Sequence, residues 1–412
     1  MSDRHFRVIV VSGGIVGCNV LYHLSKAGWT DIALLERLEL TAGSTWHSSG
    51  HIAHYVPHPT LCEFIRYTVA QLPELQRETG QDLGLLNNGS LRLATTTARV
   101  DEYAQFIRTM KPVGLPAELI SAQDAAARFP LMNPKDVLGA LYLPEDACLN
   151  PADVTQALAT AARSRGATIV RNMAAIAFSR TNTGEWCIET NSGSYTCEHV
   201  VSATGFFARQ TFSKLGLRMP VAVLSHQYLI TDDVDEIHAR REAQLPRLPI
   251  LRHPDIRLLV REEGAGLFVS VYEKNAGVIF KDGVPETFGM ELLPSDLESI
   301  EPYFEAAMQR VPCLERTGIK NVVHGPLPWT PDFFPFVGPI RDLPNFWAAE
   351  GLCFGISLCG GVANSLVRWM VDGDPGRDLS WADCGRFGAQ CTDADLDARS
   401  ADSYRGVYKE ND

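Results

Sequence analysis

The stretch "FRVIVVSGGIVG", residues 6–17, decides the fold. Its first half, Phe6 to Val11, is a nearly continuous apolar run, which is typical of a buried parallel strand. The glycine-rich turn follows, and "CNVLYHLSKAG" then has helical spacing and stops at Gly28. A second apolar run, "DIALLE", ends at Glu36. The order strand, turn, helix, strand predicts a βαβ unit at the N-terminus.

The turn "SGGIVG" predicts a dinucleotide site. It matches the pattern GxGxxG except that Ser12 stands where the first glycine belongs. Gly14 would let the backbone approach a pyrophosphate, and Gly17 would let the helix pack closely on the strand. The helix N-terminus, at Ile15 and Val16, would direct backbone amides and the positive end of the helix dipole at the phosphates. A tight turn without any ligand is the alternative.

The acid at the end of the second strand narrows the choice of dinucleotide. Glu36 lies 19 residues after Gly17, where an acidic side chain holds a ribose hydroxyl of NAD or FAD. Three further segments favour FAD. The loop "LLERLELTAGSTWHSSG" brings more hydroxyls and amides toward the same pyrophosphate, and "SATG" and "CFGISLCGG" are small-residue turns that can pass close to a flavin. A dehydrogenase that uses only NAD is the less favoured alternative.

Length and composition narrow the class of protein. The 412 residues predict two domains or one elaborated α/β unit, and the 45% of hydrophobic residues suffice for a large core. The net charge of −12 argues against a nucleic-acid partner, which would require a basic face. No run approaches the roughly 20 apolar residues of a membrane span, and the start lacks a signal peptide, so we expect a cytoplasmic protein. The ten cysteines show no CxxC spacing, which argues against structural zinc.

The dinucleotide-type segments lie at the start, the middle and the end of the chain. This predicts an α/β protein in which a Rossmann-like FAD-binding domain is discontinuous and interleaved with a second, mixed-sheet substrate domain. We assign residues 1–88, 143–219 and 324–375 to the FAD-binding domain. Residues 89–142 and 220–323 form the predicted substrate domain. The polar, charged segment 376–412 is predicted to be a loosely packed C-terminal extension.

Several segments resemble one family along the whole chain. They are "SGGIVG", "LLERLELTAGSTWHSSG", "NNGSLRLATT", "SHQYLIT", "NVVHGPLPWTPDFFPFVGP" and "GLCFGISLCGGV". The chain resembles the flavin domain of the dimethylglycine dehydrogenase, sarcosine dehydrogenase and dimethylglycine oxidase family, within the D-amino-acid-oxidase superfamily. "LTAGSTWH" and "TPDFFPFVGP" are specific at family level. The resemblance implies FAD and the oxidative demethylation of a small N-methyl amine, with oxygen, an electron-transfer flavoprotein or a quinone as electron acceptor.

The resemblance gives a role to the histidine of "STWH". It implies that His47 carries FAD covalently, through a ring nitrogen bonded to the flavin 8α-methyl group. A hydrogen-bonding loop histidine and a noncovalent contact are the alternatives. A metal site built from His47, His51 and His54 is disfavoured, because the glycines and serines around them predict a loop and no cysteine or carboxylate cluster completes a site.

The resemblance also places the family's active-site histidine and tyrosine at His226, in "VLSHQYLIT", and at Tyr272, in "GLFVSVYEKN". A neutral imidazole or a polarised phenol can accept the ammonium proton of the substrate or hold its amine neutral. Packing in the core is the alternative for both residues. A substrate carboxylate requires a cation, and four residues of the predicted substrate domain qualify: Arg252, Arg257, Arg261 and Lys274.

The motifs and the resemblance together predict a set of cofactor-binding residues. They are Ser12, Gly14, Ile15, Val16, Gly17, Glu36, Arg37, Gly43, Ser44, Thr45, His47, Ser48, Gly50, Ala175, Gly205, Phe354, Gly355, Ile356, Ser357 and Leu358. In the last turn, Cys353 and Leu358 stand where the family often has glycine and histidine, which leaves the substrate and the electron acceptor open. An FAD enzyme of another amine or of a D- or imino acid, and a flavin-bearing electron-transfer subunit of a larger complex, are the alternative functions.

The larger members of the family continue into a domain that binds tetrahydrofolate. The 412 residues end where that domain would begin. We therefore expect the iminium product to hydrolyse in water to formaldehyde and the demethylated amine, unless a separate folate-binding protein docks.

Overall fold

The computed structural model describes residues 4–388 and 390–408. The helices of this part are α1 (Ile15–Lys26), α2 (Pro59–Thr79), α3 (Thr97–Met110), α4 (Ala122–Arg128), α5 (Pro151–Ser164), α6 (Ala208–Ser213), α7 (Asp235–Glu242), α8 (Leu297–Arg310), α9 (Gly355–Asp372) and α10 (Asp393–Arg405). The first strands are β1 (His5–Val11), β2 (Ile32–Leu35), β3 (His51–Ile52), β4 (Ser90–Ala94), β5 (Glu118–Ser121), β6 (Gly139–Leu143), β7 (Ala147–Cys148), β8 (Thr168–Val170), β9 (Ala175–Arg180) and β10 (Trp186–Thr190). The remaining strands are β11 (Gly193–Ser202), β12 (Ala222–Thr231), β13 (Ile250–His253), β14 (Leu258–Glu263), β15 (Gly266–Val271), β16 (Val278–Ile279), β17 (Ile319–Trp329), β18 (Phe336–Pro339) and β19 (Phe346–Glu350).

The predicted βαβ unit is confirmed and forms the centre of the first sheet. Its strand order is β18-β19-β11-β1-β2-β8, and β9 and β10 extend it beside β11. β1 runs parallel to both neighbours, with Val8 opposite Ile32 of β2. Because β1 is paired on both sides and covered on both faces, its apolar side chains from Val8 to Val11 are all buried.

The helix of this unit packs very closely on its strand. α1 lies against α5 and α9, and its apolar residues join the largest core cluster. A Cβ atom at Gly17 would lie 2.0 Å from the carbonyl oxygen of Ser12, so only glycine allows this approach. Ser12 itself has φ of 113°, a conformation that glycine adopts without strain and serine does not.

The second sheet is mixed and draws on separate parts of the chain. Its order is β16-β12-β15-β14-β13-β4-β6-β5, with β17 paired to β12. β4, β5 and β6 come from the first half of the chain, and the other strands of this sheet come from the second half. The predicted fold class, a Rossmann-like unit and a mixed-sheet unit interleaved in sequence, is therefore confirmed. Within the described residues, no helix has the length and apolar content that crossing a bilayer requires.

The prediction of a loosely packed C-terminal segment is wrong for its described part. α10 and the turn after it bury Leu396, Ser400, Tyr404 and Tyr408 against the second sheet. Arg257 holds the end of this segment by donating hydrogen bonds to the carbonyl oxygens of residues 405 and 408. The charged residues that suggested loose packing lie on the outer face of α10, so the average composition concealed an amphipathic helix.

Candidate active site

A cavity of about 510 Å³ lies where the two sheets meet. The first sheet contributes the carboxyl ends of β1, β2 and β11, which is where open α/β sheets bind their ligands. The second sheet contributes residues of β12, β13 and β17. The turn before α9 closes another side. The cavity is therefore bounded by segments that are distant in sequence.

Most of the predicted site residues line this cavity. They are Ser12, Gly14, Ile15, Val16, Glu36, Arg37, Gly43, Ser44, Thr45, His47, Ser48, Ala175, Gly205, His226, Tyr272, Phe354, Gly355, Ile356 and Ser357. Three others lie outside it. Gly17 faces the strand that precedes it, Gly50 approaches the carbonyl oxygen of Leu149 so closely that a Cβ atom would lie 2.1 Å away, and Leu358 is buried in the core. Gly17 therefore has the packing role that the motif predicts, and Gly50 and Leu358 have packing contacts in place of the predicted cofactor contact.

The turn at residues 12–17 is held by two side chains that follow β2. The buried carboxylate of Glu36 accepts the amide of Gly13 at 2.6 Å through one oxygen and the amide of Leu38 at 2.8 Å through the other. Thr45 Oγ1 accepts the amide of Ile15, at the start of α1, at 3.2 Å. A carboxylate oxygen accepts more than one hydrogen bond, so Glu36 shapes the turn and can still bind a hydroxyl group in the cavity.

His47 presents a free imidazole nitrogen on the cavity wall. Its buried Nε2 has no hydrogen-bond partner among the described residues. The ring packs on Gly325, where a Cβ atom would lie 2.4 Å from Cε1, and Tyr228 donates a hydrogen bond to the carbonyl oxygen of His47 at 3.1 Å. Desolvation lowers the pKa of His47 to about 4, so the imidazole is neutral at pH 7 and keeps a lone pair.

The other two histidines of this loop lie in different surroundings. His51 lines the cavity, and desolvation and the nearby Arg261 and Arg252 lower its pKa well below the usual range. His54 points away and contacts Asp146, with its Nδ1 2.8 Å from a carboxylate oxygen. Among the residues that the structure describes, no group of three or more metal-ligating side chains is arranged to hold a metal ion.

At the end of the cavity formed by the second sheet, both ring nitrogens of His226 have protein partners. Nδ1 lies 2.6 Å from Tyr404 Oη, and Nε2 lies 2.9 Å from Ser270 Oγ. Tyr404 donates its hydroxyl hydrogen to Glu273 at 2.9 Å. Desolvation lowers the pKa of His226 to about 3, so the ring is neutral.

Tyr272 lies beside His226 within a group of aromatic rings. Its ring centroid is 4.7 Å from that of His226, 5.3 Å from that of Tyr404 and 5.1 Å from that of Tyr408. Desolvation raises the pKa of Tyr272, so the phenol keeps its proton. Tyr272 lines the cavity, and no hydrogen bond joins its hydroxyl group to a described residue.

Of the four candidate cations, Arg252 alone lines the cavity. It is buried, donates a hydrogen bond to Tyr408 Oη at 3.0 Å, and forms no ion pair with a described residue. Arg257 uses its guanidinium group on backbone carbonyls, and Arg261 pairs with a neighbouring glutamate. Lys274 is exposed. Of the four candidates for binding a substrate carboxylate, the fold therefore places only Arg252 on the cavity wall.

The sequence analysis missed three buried side chains that shape the site. Tyr404 and Tyr408 lie behind the cavity wall, where they form hydrogen bonds with His226 and Arg252, and Glu350 ends β19. Glu350 accepts hydrogen bonds from Ser202 and Thr204 and from the amide of Gly205, so it holds the "SATG" turn against the cavity. An acid that ends the apolar run "FWAAE" was the signal for Glu350. For Tyr404 the signal was the four-residue spacing of Leu396, Ser400 and Tyr404 within α10.

Comparisons with known proteins agree with this geometry. The chain matches the family model described as FAD dependent oxidoreductase over residues 7–369. It is 37% identical over 401 residues to the Homo sapiens protein dimethylglycine dehydrogenase, mitochondrial, which covers 96% of this chain and 46% of the relative. It is 33% identical over 411 residues to Homo sapiens sarcosine dehydrogenase, mitochondrial, which covers 97% of this chain and 44% of the relative. The chain therefore spans about half the length of these curated relatives.

A solved structure shows the same fold. The crystal structure of L-proline dehydrogenase from P. horikoshii superposes with a TM-score of 0.80 at 22% sequence identity. The match covers 93% of this chain and 98% of that one. At this level of identity the match concerns the arrangement of the two sheets.

Proposed function

The chain belongs to the FAD dependent oxidoreductase family, and on that premise we propose that it oxidatively demethylates a small N-methyl amine that carries a carboxylate. Dimethylglycine and sarcosine are the leading substrates, because the two human relatives are named for them. The observation that carries the proposal is Arg252. A buried guanidinium group with no described ion-pair partner is costly unless a ligand supplies the anion, and Arg252 faces the cavity.

The residues of the cavity fit FAD. The turn at 12–17 offers the amides at the start of α1, Glu36 offers carboxylate oxygens, and the loop at 43–48 offers hydroxyl groups. Gly205 and the turn at 354–357 would border the flavin ring. When bound, the flavin would supply the two-electron oxidant that takes a hydride from the N-methyl carbon.

The protein's own groups would orient the amine and keep it unprotonated. Arg252 would hold the substrate carboxylate, and the unpartnered hydroxyl group of Tyr272 would contact the substrate nitrogen. His226 is neutral, so it adds no charge beside that nitrogen. A cavity wall of low polarity disfavours an ammonium ion, and the nitrogen lone pair is then free to form the iminium. Water added to the iminium gives formaldehyde, the demethylated amine and a proton.

We also propose that His47 forms the covalent bond to the flavin. The support is its buried, unpartnered Nε2 on the cavity wall, in an imidazole that is neutral at pH 7. The test is to precipitate the purified protein with acid and wash the pellet. Yellow colour should stay with the wild-type pellet and be lost from His47→Ala, whereas colour released from wild type would exclude the bond.

The test of the reaction is the product. Purified protein with an artificial electron acceptor should release one formaldehyde for each two-electron reduction when given dimethylglycine or sarcosine. Turnover of a D-amino acid or a cyclic imino acid without formaldehyde would contradict the proposal and favour another amine oxidation. A flavin that no amine reduces would favour an electron-transfer subunit.

A further inference from the structure

A line of four hydrogen-bonded side chains connects the C-terminal segment to the cavity wall at His226. Glu273, Tyr404, His226 and Ser270 follow one another in this order, at 2.9, 2.6 and 2.9 Å. Glu273, Tyr404 and Ser270 are each at least 94% buried, by exposures of 6%, 0% and 3%. His226 is the member of the line that borders the cavity. The other three do not line the cavity, and their hydrogen bonds reach it through the imidazole.

The direction of the hydrogen bonds follows from Glu273. An ionised carboxylate only accepts hydrogen bonds, so Tyr404 must donate its hydroxyl hydrogen to Glu273. The oxygen of Tyr404 is then left to accept a hydrogen from His226 Nδ1. In a neutral imidazole the other nitrogen, Nε2, carries the lone pair, and Ser270 donates to it. Burial raises the pKa of Glu273, while a backbone amide, the hydrogen bond from Tyr404 and the charge of Arg257 oppose that rise and favour the ionised carboxylate that this order requires.

The ring of Tyr404 is fixed independently of its hydroxyl group. It packs against Trp329 with a centroid separation of 5.2 Å, and against Tyr272 at 5.3 Å. Trp329 in turn lines the cavity and donates a hydrogen bond to Ser403 Oγ of α10 at 3.2 Å. The phenol oxygen of Tyr404 is thus held at one place beside His226, as an orienting group must be.

We propose that Tyr404 is a positioning residue, which fixes His226 as the tautomer protonated on Nδ1 and fixes the plane of its ring. The aromatic contact between His226 and Tyr272, at 4.7 Å, then carries this order to the residue that contacts the substrate. The consequence for rate rests on the proposed function, but the tautomer does not. The segment at 393–408 therefore belongs to the site, because it supplies the side chain that orients His226.

The test is the tautomer of His226, measured by long-range proton–nitrogen NMR on the full chain with ¹⁵N-labelled histidine. The His226 signals are assigned by their loss in His226→Asn. In wild type the two nitrogens should show the shifts of a neutral ring with the hydrogen on Nδ1. Tyr404→Phe keeps the ring packing and should shift the population toward the other tautomer or a mixture. Ser270→Ala should leave the hydrogen on Nδ1.

One control variant tests whether the loss of any buried tyrosine hydroxyl group changes the His226 signals. Tyr103→Phe removes another buried hydroxyl group, which donates to the carbonyl oxygen of Leu93, and should leave the His226 signals unchanged. An unchanged pattern in Tyr404→Phe, or a wild-type ring protonated on Nε2, would overturn the proposal. So would a tautomer that changes in Ser270→Ala but not in Tyr404→Phe.

The effect on rate is a separate readout. Tyr404→Phe should lower kcat for demethylation about tenfold and change KM by less than about threefold, since the loss concerns orientation and not substrate binding. A shifted tautomer with unchanged kcat would overturn the positioning role. If the wild-type chain does not demethylate any amine, the proposed function fails while the NMR result still decides the tautomer.

Discussion

The two ends of the cavity are built in different ways. The end formed by residues 12–17 comes from one short turn, whose shape depends on the backbone and on close contacts with its neighbours. The other end is assembled from side chains of β12, β13, β15 and the C-terminal segment, which are up to 178 residues apart in the sequence. The first end can be read from a local motif. The second exists only once the chain has folded, and its chemistry depends on individual side chains.

The largest expected effect is on kcat/KM, and it tests whether Arg252 alone binds the substrate carboxylate at the second end. Arg252→Met should lower kcat/KM for dimethylglycine by about 10²–10³, because the substrate carboxylate loses its charged partner. Steady-state kinetics on purified protein measures the change. Arg261→Met is the matched control, since Arg261 pairs with Glu263 and should matter much less. Equal losses of kcat/KM in both variants would contradict the proposal that Arg252 binds the substrate carboxylate.

The next effect compares how the stability contributed by two buried histidines depends on pH, one in the helix that follows the turn and one at the second end. Desolvation lowers the pKa of His23, which lies in α1, to about 4 and that of His226 to about 3. Unfolded histidine titrates near 6.5, so between these values the unfolded state binds more protons than the folded state. Each residue therefore contributes stability that is present above pH 6.5 and is lost as the pH falls. From pH 7 to pH 5 each loss should be about 2 kcal/mol.

Urea unfolding at pH 7 and pH 5 measures this dependence. His23→Gln and His226→Gln should each reduce the loss of unfolding free energy between the two pH values. A dependence that stays the same in both variants would mean that these rings are not held neutral.

A smaller effect on rate concerns the two residues that we propose lie beside the substrate nitrogen. Tyr272→Phe and His226→Ala should each slow reduction of the flavin by substrate about tenfold or more, as expected for loss of an acid–base or orienting group. Anaerobic rapid mixing measures the rate. Tyr195→Phe, in β11 and outside the cavity lining, is the control. Near-normal rates of flavin reduction in both variants would contradict the roles proposed for Tyr272 and His226.

The smallest expected effect is on the stability of the fold, and it comes from Ser12 in the turn at residues 12–17. Ser12→Gly should stabilise the fold by about 1 kcal/mol, because φ of 113° strains serine and not glycine. Ser25→Gly, inside α1, should destabilise by about 1 kcal/mol and serves as the opposite control. Thermal unfolding of both variants gives the comparison. A Ser12→Gly protein of lower stability would show that the hydroxyl group contributes more than the strain costs.

The contrast between the ends also explains what the sequence could predict. The βαβ unit and its turn were predictable because the apolar runs, the glycines and Glu36 follow one another within about thirty residues of chain. His226 and Tyr272 came from the family resemblance and not from spacing. Arg252 could not be told from three other cations, because only the fold turns one of them toward the cavity.

Tyr404 was missed for another reason. The composition of the last segment was averaged, although Leu396, Ser400 and Tyr404 recur every four residues, as one buried helix face does. Its contact with His226 spans 178 residues, and no local pattern encodes such a partner. Ser12 was recognised as a departure from the motif, but its positive φ became evident only in the structure.

The central claim is that the first end holds a flavin and the second presents a carboxylated N-methyl amine to it. The most direct measurement is to mix the purified yellow protein with dimethylglycine without oxygen and follow the flavin absorbance. We expect bleaching, with formaldehyde formed in equal amount to the flavin reduced. A flavin that keeps its colour with dimethylglycine and sarcosine, and is bleached only by an amine without an N-methyl group, would contradict the claim.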